Sequence, residues 1–349
     1  MLMNSSHDAK ASTEDKLNGP ASAPVSVVCV VPSFNASATI RRAILSALRQ
    51  QGVQMRVIVV DHGSTDGTAE MLSDAFGGDA RVELIRLARR EEERRSASRP
   101  LNVGITRALS LAVEEMPTWL LRLDADDFIA TDSILHDALR MSDYAPLIMG
   151  LLTFFNVRQQ TALLYGPRAE YRTRAALLCG GAYAVAHHAT LISVSLLKRI
   201  LGAEALPFCE DISYGEDMDL TMRLVRGARA GEIRFISQAV MFKYAGNGTI
   251  SETSRLLGIW RDMRLVFERN PELSNSLLRR LGIDLLLRHR GKMLERARRC
   301  WGYPVGQVGF EEPVDYAGVR QRMLQLDEAL AALACSKREA ESIALTDGR

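Results

Sequence analysis

Three closely spaced carboxylates follow an apolar run in the middle of the chain. Residues 119–123 (WLLRL) lead directly into Asp124, Asp126 and Asp127. An apolar run that ends at acids is typical of a buried strand that delivers side chains to a cleft. In an extended chain, residues two apart point the same way, so Asp124 and Asp126 are predicted to share a divalent cation, while Asp127 points elsewhere. The alternative is that these acids cap a helix near residues 131–141.

Two further acidic motifs have spacings that suit ligand binding or proton transfer. A second apolar run, 55–60, ends at Asp61 within the segment DHGSTDG, and GEDMD begins at residue 215. A buried carboxylate at Asp61 can accept the imide N–H of uracil, and Gly63 lets the backbone approach the ring. Alternatively, the first motif is only a capped turn, and the second only places acids in the first turn of a helix, 218–226, beside its dipole.

The elements that must position these motifs alternate along the first 130 residues. Apolar, β-branched runs predict strands, and 3.6-residue periodicity predicts helices. The predicted strands are 25–31, 55–61, 82–87 and the run before Asp124; the predicted helices are 38–49, 68–76 and 102–113. This order predicts an α/β fold with a mostly parallel central sheet flanked by helices, and ligand loops at the carboxyl ends of the strands. Past residue 254 the pattern is almost wholly helical, with candidates at 256–270, 273–299 and 319–336.

Composition limits the class of protein. The 349 residues are 47% hydrophobic and 25% charged, with a net charge of +2, which indicates a globular protein without a general affinity for nucleic acid. The five cysteines are scattered without a CxxC pair, so we expect neither a disulfide framework nor a zinc site, and a cytoplasmic location. The apolar run 147–155 falls far short of the roughly 20 residues that span a bilayer. Residues 1–24 are polar and are predicted to be a disordered tail.

Four segments together resemble a known enzyme family. They are 30–35 (VVPSFN), 59–68 (VVDHGSTDGT), 123–127 (LDADD) and 214–219 (YGEDMD). In this order they resemble the family 2 glycosyltransferases of the GT-A fold, over residues 25–252. The resemblance implies an inverting transfer from a nucleotide-diphospho-sugar, most often a UDP-sugar, with Mn²⁺ or Mg²⁺. The acceptor is then a hydroxyl of a glycan, a lipid-linked sugar or another molecule.

The resemblance also implies a domain division. Residues 25–254 would form the GT-A domain, with a nucleotide-binding half at about 25–130 and an acceptor-side half at about 131–254. Residues 255–349 would form a C-terminal helical region.

Roles for individual residues follow from the same resemblance. The donor nucleoside would be held by Pro32, Ser33, Asn35, Asp61, Ser64 and Asp66, with Asp61 at the base edge. Asp126 would be the direct metal ligand, and Asp124 would lie near the ribose or a metal-bound water. Asp217 would be the general base, because an inverting displacement needs a carboxylate opposite the leaving diphosphate. Glu216 would tune this base or bind the acceptor, and Asp219 is the weakest candidate.

Other positions match the family only partly. Asn102 keeps a donor-side position, and Lys243 is predicted to meet phosphate at the start of a glycine-containing lid, 243–251. His62 stands where the family usually has an acid or Asn, and Leu101 stands where it has an Arg, whose charge Arg99 is the candidate to replace. These departures leave open a catalytically silent nucleotide-sugar or glycan-binding module. A nucleotidyltransferase or a dinucleotide oxidoreductase is disfavoured, because residues 30–35 hold neither glycine nor lysine.

Three segments have less specific readings. The predicted helix 273–299, which is rich in Arg and Leu, would suit peripheral contact with an anionic inner membrane face, and the alternative is packing on its own domain. The Arg/Glu-rich segment 89–95 is predicted to be a solvated loop or helix face. His187 and His188 are predicted to pack rather than to bind metal, or else to line the acceptor pocket.

Overall fold

A computed structural model describes most of the residues between the first strand and a long C-terminal helix. The described residues are 25–88, 97–112, 116–178, 185, 187–202, 206–212, 215–245, 262, 264–266, 268–271 and 309–347. The predicted tail at 1–24, the Arg/Glu-rich segment 89–95, nearly all of the predicted lid and the helix at 273–299 therefore lie outside them. Of the helix predicted at 256–270, only single residues and short pieces are described.

The first half of the domain is a parallel sheet covered by helices on both faces. Its elements are β1 (Ser26–Ser33), α1 (Ile40–Leu48), β2 (Gln54–Asp61), α2 (Thr68–Phe76), β3 (Val82–Arg86), α3 (Ser98–Leu111) and β4 (Thr118–Arg122). The strands lie in the order β3-β2-β1-β4, and all neighbouring pairs are parallel. The valine-rich runs of β1 and β2 are buried almost throughout, as strands packed on both faces require. The predicted strand–helix alternation is confirmed here.

The second half completes the same sheet with mostly antiparallel pairs. Its elements are β5 (Phe128–Ile129), α4 (Ile134–Met141), β6 (Leu147–Asn156), β7 (Thr161–Pro167), α5 (Arg174–Leu178), a 3-10 turn (His187–Ala189), β8 (Thr190–Ser193), α6 (Val194–Leu201), α7 (Glu216–Gly227) and β9 (Ile233–Tyr244). Strand β8 pairs antiparallel with both β4 and β6, which joins the two halves. Strand β9 pairs with β5 and β6, so its carboxyl end lies beside the acidic segment after β4.

The described C-terminal residues are built onto this domain. Strand β10 (Gly309–Val314) pairs antiparallel with β7, and α8 (Tyr316–Asp347) follows it. The buried Arg322 of α8 donates to the Ile129 carbonyl at 3.2 Å and to Asp132 at 2.6 Å. The expectation of an almost wholly helical region past residue 254 is therefore wrong at β10. Its one proline and two glutamates are poor strand formers, but an edge strand tolerates them.

Among the described helices, none is both long enough and apolar enough to cross a bilayer.

Gly104 on α3 lets this helix lie close to the central strands. A Cβ at this position would collide with Val30 Cγ1 and would lie 3.1 Å from Val60 Cγ2. We expect Gly104→Ala to lower the free energy of unfolding by about 1–3 kcal/mol, because overpacking forces these core side chains apart. Urea denaturation measures this change. As the control, Gly318→Ala on α8 has open space around the new methyl group, so it should be neutral or stabilising by up to about 1 kcal/mol. Equal effects of the two substitutions would contradict the packing argument.

Candidate functional site

The loops after β1 and β2 are joined to each other by hydrogen bonds. Asp61, buried at the end of β2, accepts hydrogen bonds from the Ser64 hydroxyl and, at 3.2 Å, from the Ser64 backbone N–H. The Ser64 hydroxyl in turn accepts the Asn35 N–H at 2.8 Å, and the Asn35 side chain accepts the Thr65 N–H at 2.8 Å. Asn35 has a φ of 49°, a left-handed conformation that Asn adopts more easily than most residues. The structure thus brings Asn35, Asp61 and Ser64 together.

Two more of the predicted nucleoside residues border these loops. Asp66 accepts the Ser37 N–H at 3.0 Å and the Thr68 N–H at 3.1 Å. Burial opposes the ionisation of Asp66, but the hydrogen bonds from Thr68 and Ser37 together outweigh it and lower the pKa to about 2, so Asp66 stays ionised and anchors the loops. Ser33, which follows Pro32 at the end of β1, has a buried hydroxyl with no hydrogen-bond partner among the described residues. A buried hydroxyl of this kind needs a partner that the described residues do not supply, such as a water, an ion or a ligand.

The acids after β4 lie on a turn and not on an extension of the strand. Strand β4 ends at Arg122, and the Asp127 N–H donates to the Asp124 carbonyl at 3.1 Å. The expectation that Asp127 points away from Asp124 is wrong, because this turn brings the two carboxylates together. Among the described residues, Asp124, Asp127 and His188 offer ligand atoms that all lie within 4.8 Å of one another.

Lys243, near the end of β9, lies at the centre of this group. Its Nζ donates to Asp124 at 3.0 Å and to Asp127 at 2.9 Å, and lies 3.5 Å from His188 Nε2. Asp124 also accepts Arg122 Nε at 2.9 Å and lies 2.9 Å from His188 Nε2. Asp127 additionally accepts the backbone N–H of Tyr244 at 2.9 Å. We call Asp124, Asp127, His188 and Lys243 the acidic cluster.

The protonation states in the cluster follow from burial and from these charges. Burial opposes the ionisation of Asp124, but Arg122, Lys243 and His188 outweigh it and hold its pKa well below the usual range. Burial would lower the pKa of Lys243, but the neighbouring carboxylates raise it, so the ammonium persists. Burial lowers the pKa of His188 to about 4, which leaves a neutral imidazole that can donate to Asp124. Burial and then Asp124 raise the pKa of Asp126.

The donor set suits a hard divalent cation. Carboxylate oxygens and a neutral imidazole are ligands that Mn²⁺ accepts, and Mg²⁺ is bound through carboxylates. Within the described part of the chain, Asp126 forms no close ion pair with a basic side chain, so its carboxylate oxygens can face a cation. Both oxygens of Asp124 already accept hydrogen bonds from protein groups.

Arg122 connects the acidic turn to the start of α7. Its Nη1 lies 3.4 Å from Glu216, while its Nε bonds Asp124. Gly215, with a φ of 82°, precedes α7 and turns its first residues toward this arginine. Asp217 is the next residue and is half-buried. The structure therefore places the predicted acceptor-side carboxylates across Arg122 from the predicted metal site.

Two residues that were candidates for the site, Asp219 and Asn102, are buried and hydrogen-bonded within the fold. Asp219 is fully buried and pairs with Arg269 and Asn270, each at 3.0 Å, in keeping with its place as the weakest candidate for the base. Asn102 is also buried, and both ends of its amide bond the backbone of Phe208, at 2.9 and 2.8 Å. The structure does not bring Asn102 into the acidic cluster. Asn102 instead holds the segment 206–212 against α3.

His62 and Leu101, the two positions that differ from the usual family residues, have different surroundings in the structure. Leu101 is buried in the core between the sheet and the helices of one face. Arg99, the proposed replacement, donates to the Ala88 carbonyl at 3.2 Å and lies 3.4 Å from His62 Nε2. The positive charge thus lies beside the loop after β2.

Sequence reasoning assigned no role to Arg122, and it did not expect Asp127 or His188 beside Asp124, since Asp127 was predicted to point elsewhere and His188 to pack or to line the acceptor pocket. Arg122 carried a usable signal, because it is the only charged residue in the apolar run 119–123. His188 meets Asp124 across 64 residues of chain, and no local pattern reveals such a contact.

Glu216 provides a prediction about pH and stability. Burial and then Asp217 raise its pKa from 4.5 to about 7, so the folded protein keeps a proton that the unfolded chain releases. The free energy of unfolding should therefore fall as pH rises from about 4.5 through about 7, by up to about 3 kcal/mol. We expect Glu216→Gln, which cannot ionise, to be more stable than wild type at pH 8 and similar at pH 5.

Urea denaturation of both proteins at the two pH values measures this difference. Glu312→Gln, at an exposed position on β10, is the control and should follow wild type at both. A constant difference between Glu216→Gln and wild type across the pH range would show that Glu216 does not titrate with a raised pKa.

One protein-family model matches the first half of the domain and continues into the second half, as far as residue 201. Residues 28–201 match the model of glycosyl transferase family 2. The succinoglycan biosynthesis protein ExoO of Rhizobium meliloti is 38% identical over 108 residues, which are 31% of this chain and 27% of ExoO. An uncharacterised glycosyltransferase of Haemophilus influenzae is 30% identical over 106 residues, 30% of this chain and 38% of that protein.

Solved structures share the fold over a larger part of the chain. S. aureus TarS 1-349 in complex with UDP-GlcNAc superposes with a TM-score of 0.55 and 18% identity, covering 81% of this chain and 80% of that one. The same protein with UDP gives a TM-score of 0.52 and 19% identity, covering 74% and 72% of the two chains. The predicted GT-A fold is confirmed. The curated relatives are matched over well under half of their own length: 27% for ExoO and 38% for the H. influenzae protein.

Proposed function

Because the chain belongs to glycosyl transferase family 2 and is a glycosyltransferase, we propose that it moves a sugar, with inversion, from a UDP-sugar to a hydroxyl of a glycan or lipid-linked acceptor. One observation carries this proposal. The acidic turn at the carboxyl end of β4 and the Glu216–Asp217 pair at the start of α7 are linked through Arg122, at 2.9 and 3.4 Å. On this proposal a donor-side cation site and an acceptor-side base would lie next to each other.

On the donor side, the nucleoside would lie on the joined loops after β1 and β2. Asp61 would accept the uracil imide N–H, and the buried Ser33 hydroxyl would find a partner on the ligand. The complexes of TarS with UDP and UDP-GlcNAc support a uridine nucleotide. Pro32, Asn35, Ser64 and Asp66 shape these loops.

A divalent cation would be held by Asp126 and Asp124, with Asp127 and His188 as further donor groups. When bound, such a cation offsets the charge that gathers on the diphosphate leaving group. Lys243, whose ammonium contacts both Asp124 and Asp127, would contact the diphosphate.

On the acceptor side, Asp217 would remove the proton of the attacking hydroxyl. The hydroxyl oxygen forms the bond to the anomeric carbon as the bond to the diphosphate oxygen breaks, so the base must act on the face opposite the leaving group. Glu216, protonated below about pH 7, would orient the acceptor or modulate Asp217.

A thermal-shift screen tests the donor site. UDP, GDP, CDP, TDP and their sugars are compared with and without Mn²⁺, since a ligand that binds the folded state raises the melting temperature. We expect stabilisation by UDP and UDP-sugars, and a larger shift with Mn²⁺. Failure of every nucleotide would contradict the proposal. Binding without transfer to any acceptor would favour the catalytically silent module.

A further inference from the structure

Lys243 occupies the centre of the position where a cation would lie. Its ammonium is within 3.0 Å of oxygens from both Asp124 and Asp127 and is 3.5 Å from His188 Nε2. A divalent ion shared by these groups needs ligand distances of about 2.0–2.3 Å, so it cannot enter while the ammonium stays there. The two cations therefore exclude each other.

Charge also opposes metal binding to this arrangement. Arg122 and Lys243 already place two positive charges on the single carboxylate of Asp124, with side chains that are 9% and 21% exposed. At such short separations and partial burial, a further double positive charge is strongly repelled. Asp126, which forms no close ion pair among the described residues, would be left as the single ligand, and one carboxylate is a weak site for a divalent cation.

The lysine has another anion to move to when a donor arrives. Its flexible four-carbon stem lets the ammonium leave the carboxylates without movement of β9, and phosphate oxygens bind ammonium well. A diphosphate bound beside the acidic turn would therefore attract Lys243 and vacate the cluster. Metal and nucleotide would then favour each other's binding.

We propose that Lys243 fills the cation position of the acidic cluster until a nucleotide diphosphate draws it away, so that the metal binds together with the nucleotide and not before it. This inference rests on the proposed function. It assigns to Lys243 two successive partners: the carboxylates of Asp124 and Asp127 in the free protein, and the donor diphosphate in the complex.

Calorimetric titration of MnCl₂ into the nucleotide-free protein tests the proposal. Wild type should bind Mn²⁺ weakly, and Lys243→Met should bind it at least about tenfold more tightly, because the competing charge is gone. Lys243→Arg, which keeps the charge, should behave as wild type. The control Lys198→Met changes an exposed lysine on α6 and should alter nothing.

Folding and nucleotide binding are controlled separately. Because Lys243→Met leaves buried carboxylates without their partner, Asp127→Asn is also compared with Asp127→Asn/Lys243→Met, where the double variant should again bind Mn²⁺ more tightly. With Mn²⁺ present, Lys243→Met should weaken the binding of UDP but not of uridine, which has no phosphate. The inference would be overturned if, without nucleotide, Lys243→Met changed the Mn²⁺ affinity neither in wild type nor in Asp127→Asn. Tight Mn²⁺ binding by nucleotide-free wild type would overturn it as well. If wild type binds UDP with Mn²⁺ in that case, the proposed function stands; if it binds neither, the proposed function fails as well.

Discussion

Asp217→Asn should abolish sugar transfer while leaving donor binding intact. Loss of a general base typically lowers the rate by about 10²–10⁴-fold. The substitution keeps the size and hydrogen bonding of the side chain, including the acceptor oxygen for the Met218 N–H at 2.8 Å, so α7 should begin normally. The uridine site is formed by other loops. Affinity for UDP with Mn²⁺ should therefore stay within about twofold of wild type.

Steady-state transfer and calorimetric UDP binding on the same preparations separate the two effects. Asp211→Asn, at an exposed carboxylate in the neighbouring segment 206–212, is the matched control and should retain full transfer. Transfer by Asp217→Asn at the wild-type rate would remove Asp217 as the base and make Glu216 the next candidate. Loss of UDP binding would instead show that the substitution disturbs the donor site.

The second large effect is expected at the acidic turn. Asp126→Ala removes the carboxylate that is most available to a cation, so Mn²⁺ should no longer strengthen donor binding. Replacing a residue that only hydrogen-bonds a metal ligand typically lowers metal affinity by about 10–100-fold. Removing the ligand itself should lower it by at least as much. UDP affinity without metal should change little, because Asp61 and Ser64 remain in place.

Thermal shifts with UDP, with and without Mn²⁺, measure this loss for wild type and variant. The control Asp137→Ala removes a partly exposed carboxylate on α4 and should keep the metal effect. A normal Mn²⁺ effect in Asp126→Ala would mean that Asp124, Asp127 and His188 hold the cation without Asp126. In that case the assignment from residue spacing is wrong, and the cluster seen in the structure replaces it.

The nucleotide half was readable from sequence because its signals are local. Each buried strand is one apolar run, each helix follows it directly, and loops such as 61–67 carry their own turn residues. The helix Thr68–Phe76 has the predicted bounds, and the other predicted elements differ by a few residues at their ends.

The rest depends on contacts between distant parts of the chain. The sequence patterns predicted no strand order for residues 145–215, because β6 pairs with three strands and shifts register twice against β9, and such pairings leave no local pattern. The direction of Asp127 was predicted wrongly because the prediction assumed an extended chain after β4. The alternation of side chains in a strand does not indicate where the strand ends, and β4 ends at Arg122. The contact of Lys243 with Asp127 spans 116 residues, and only tertiary structure places these two side chains together.

The pairing of β10 with β7 has a consequence for synthesis on the ribosome. The parallel half is built from neighbouring segments and can form early, whereas β7 waits about 140 residues for the strand that covers it. During this interval its backbone N–H and C=O groups are open to other chains. Residues 309–347 therefore protect the edge of β7 only late in synthesis. A nascent or truncated polypeptide that ends before residue 309 should be the form that aggregates, even though it already contains every proposed catalytic residue.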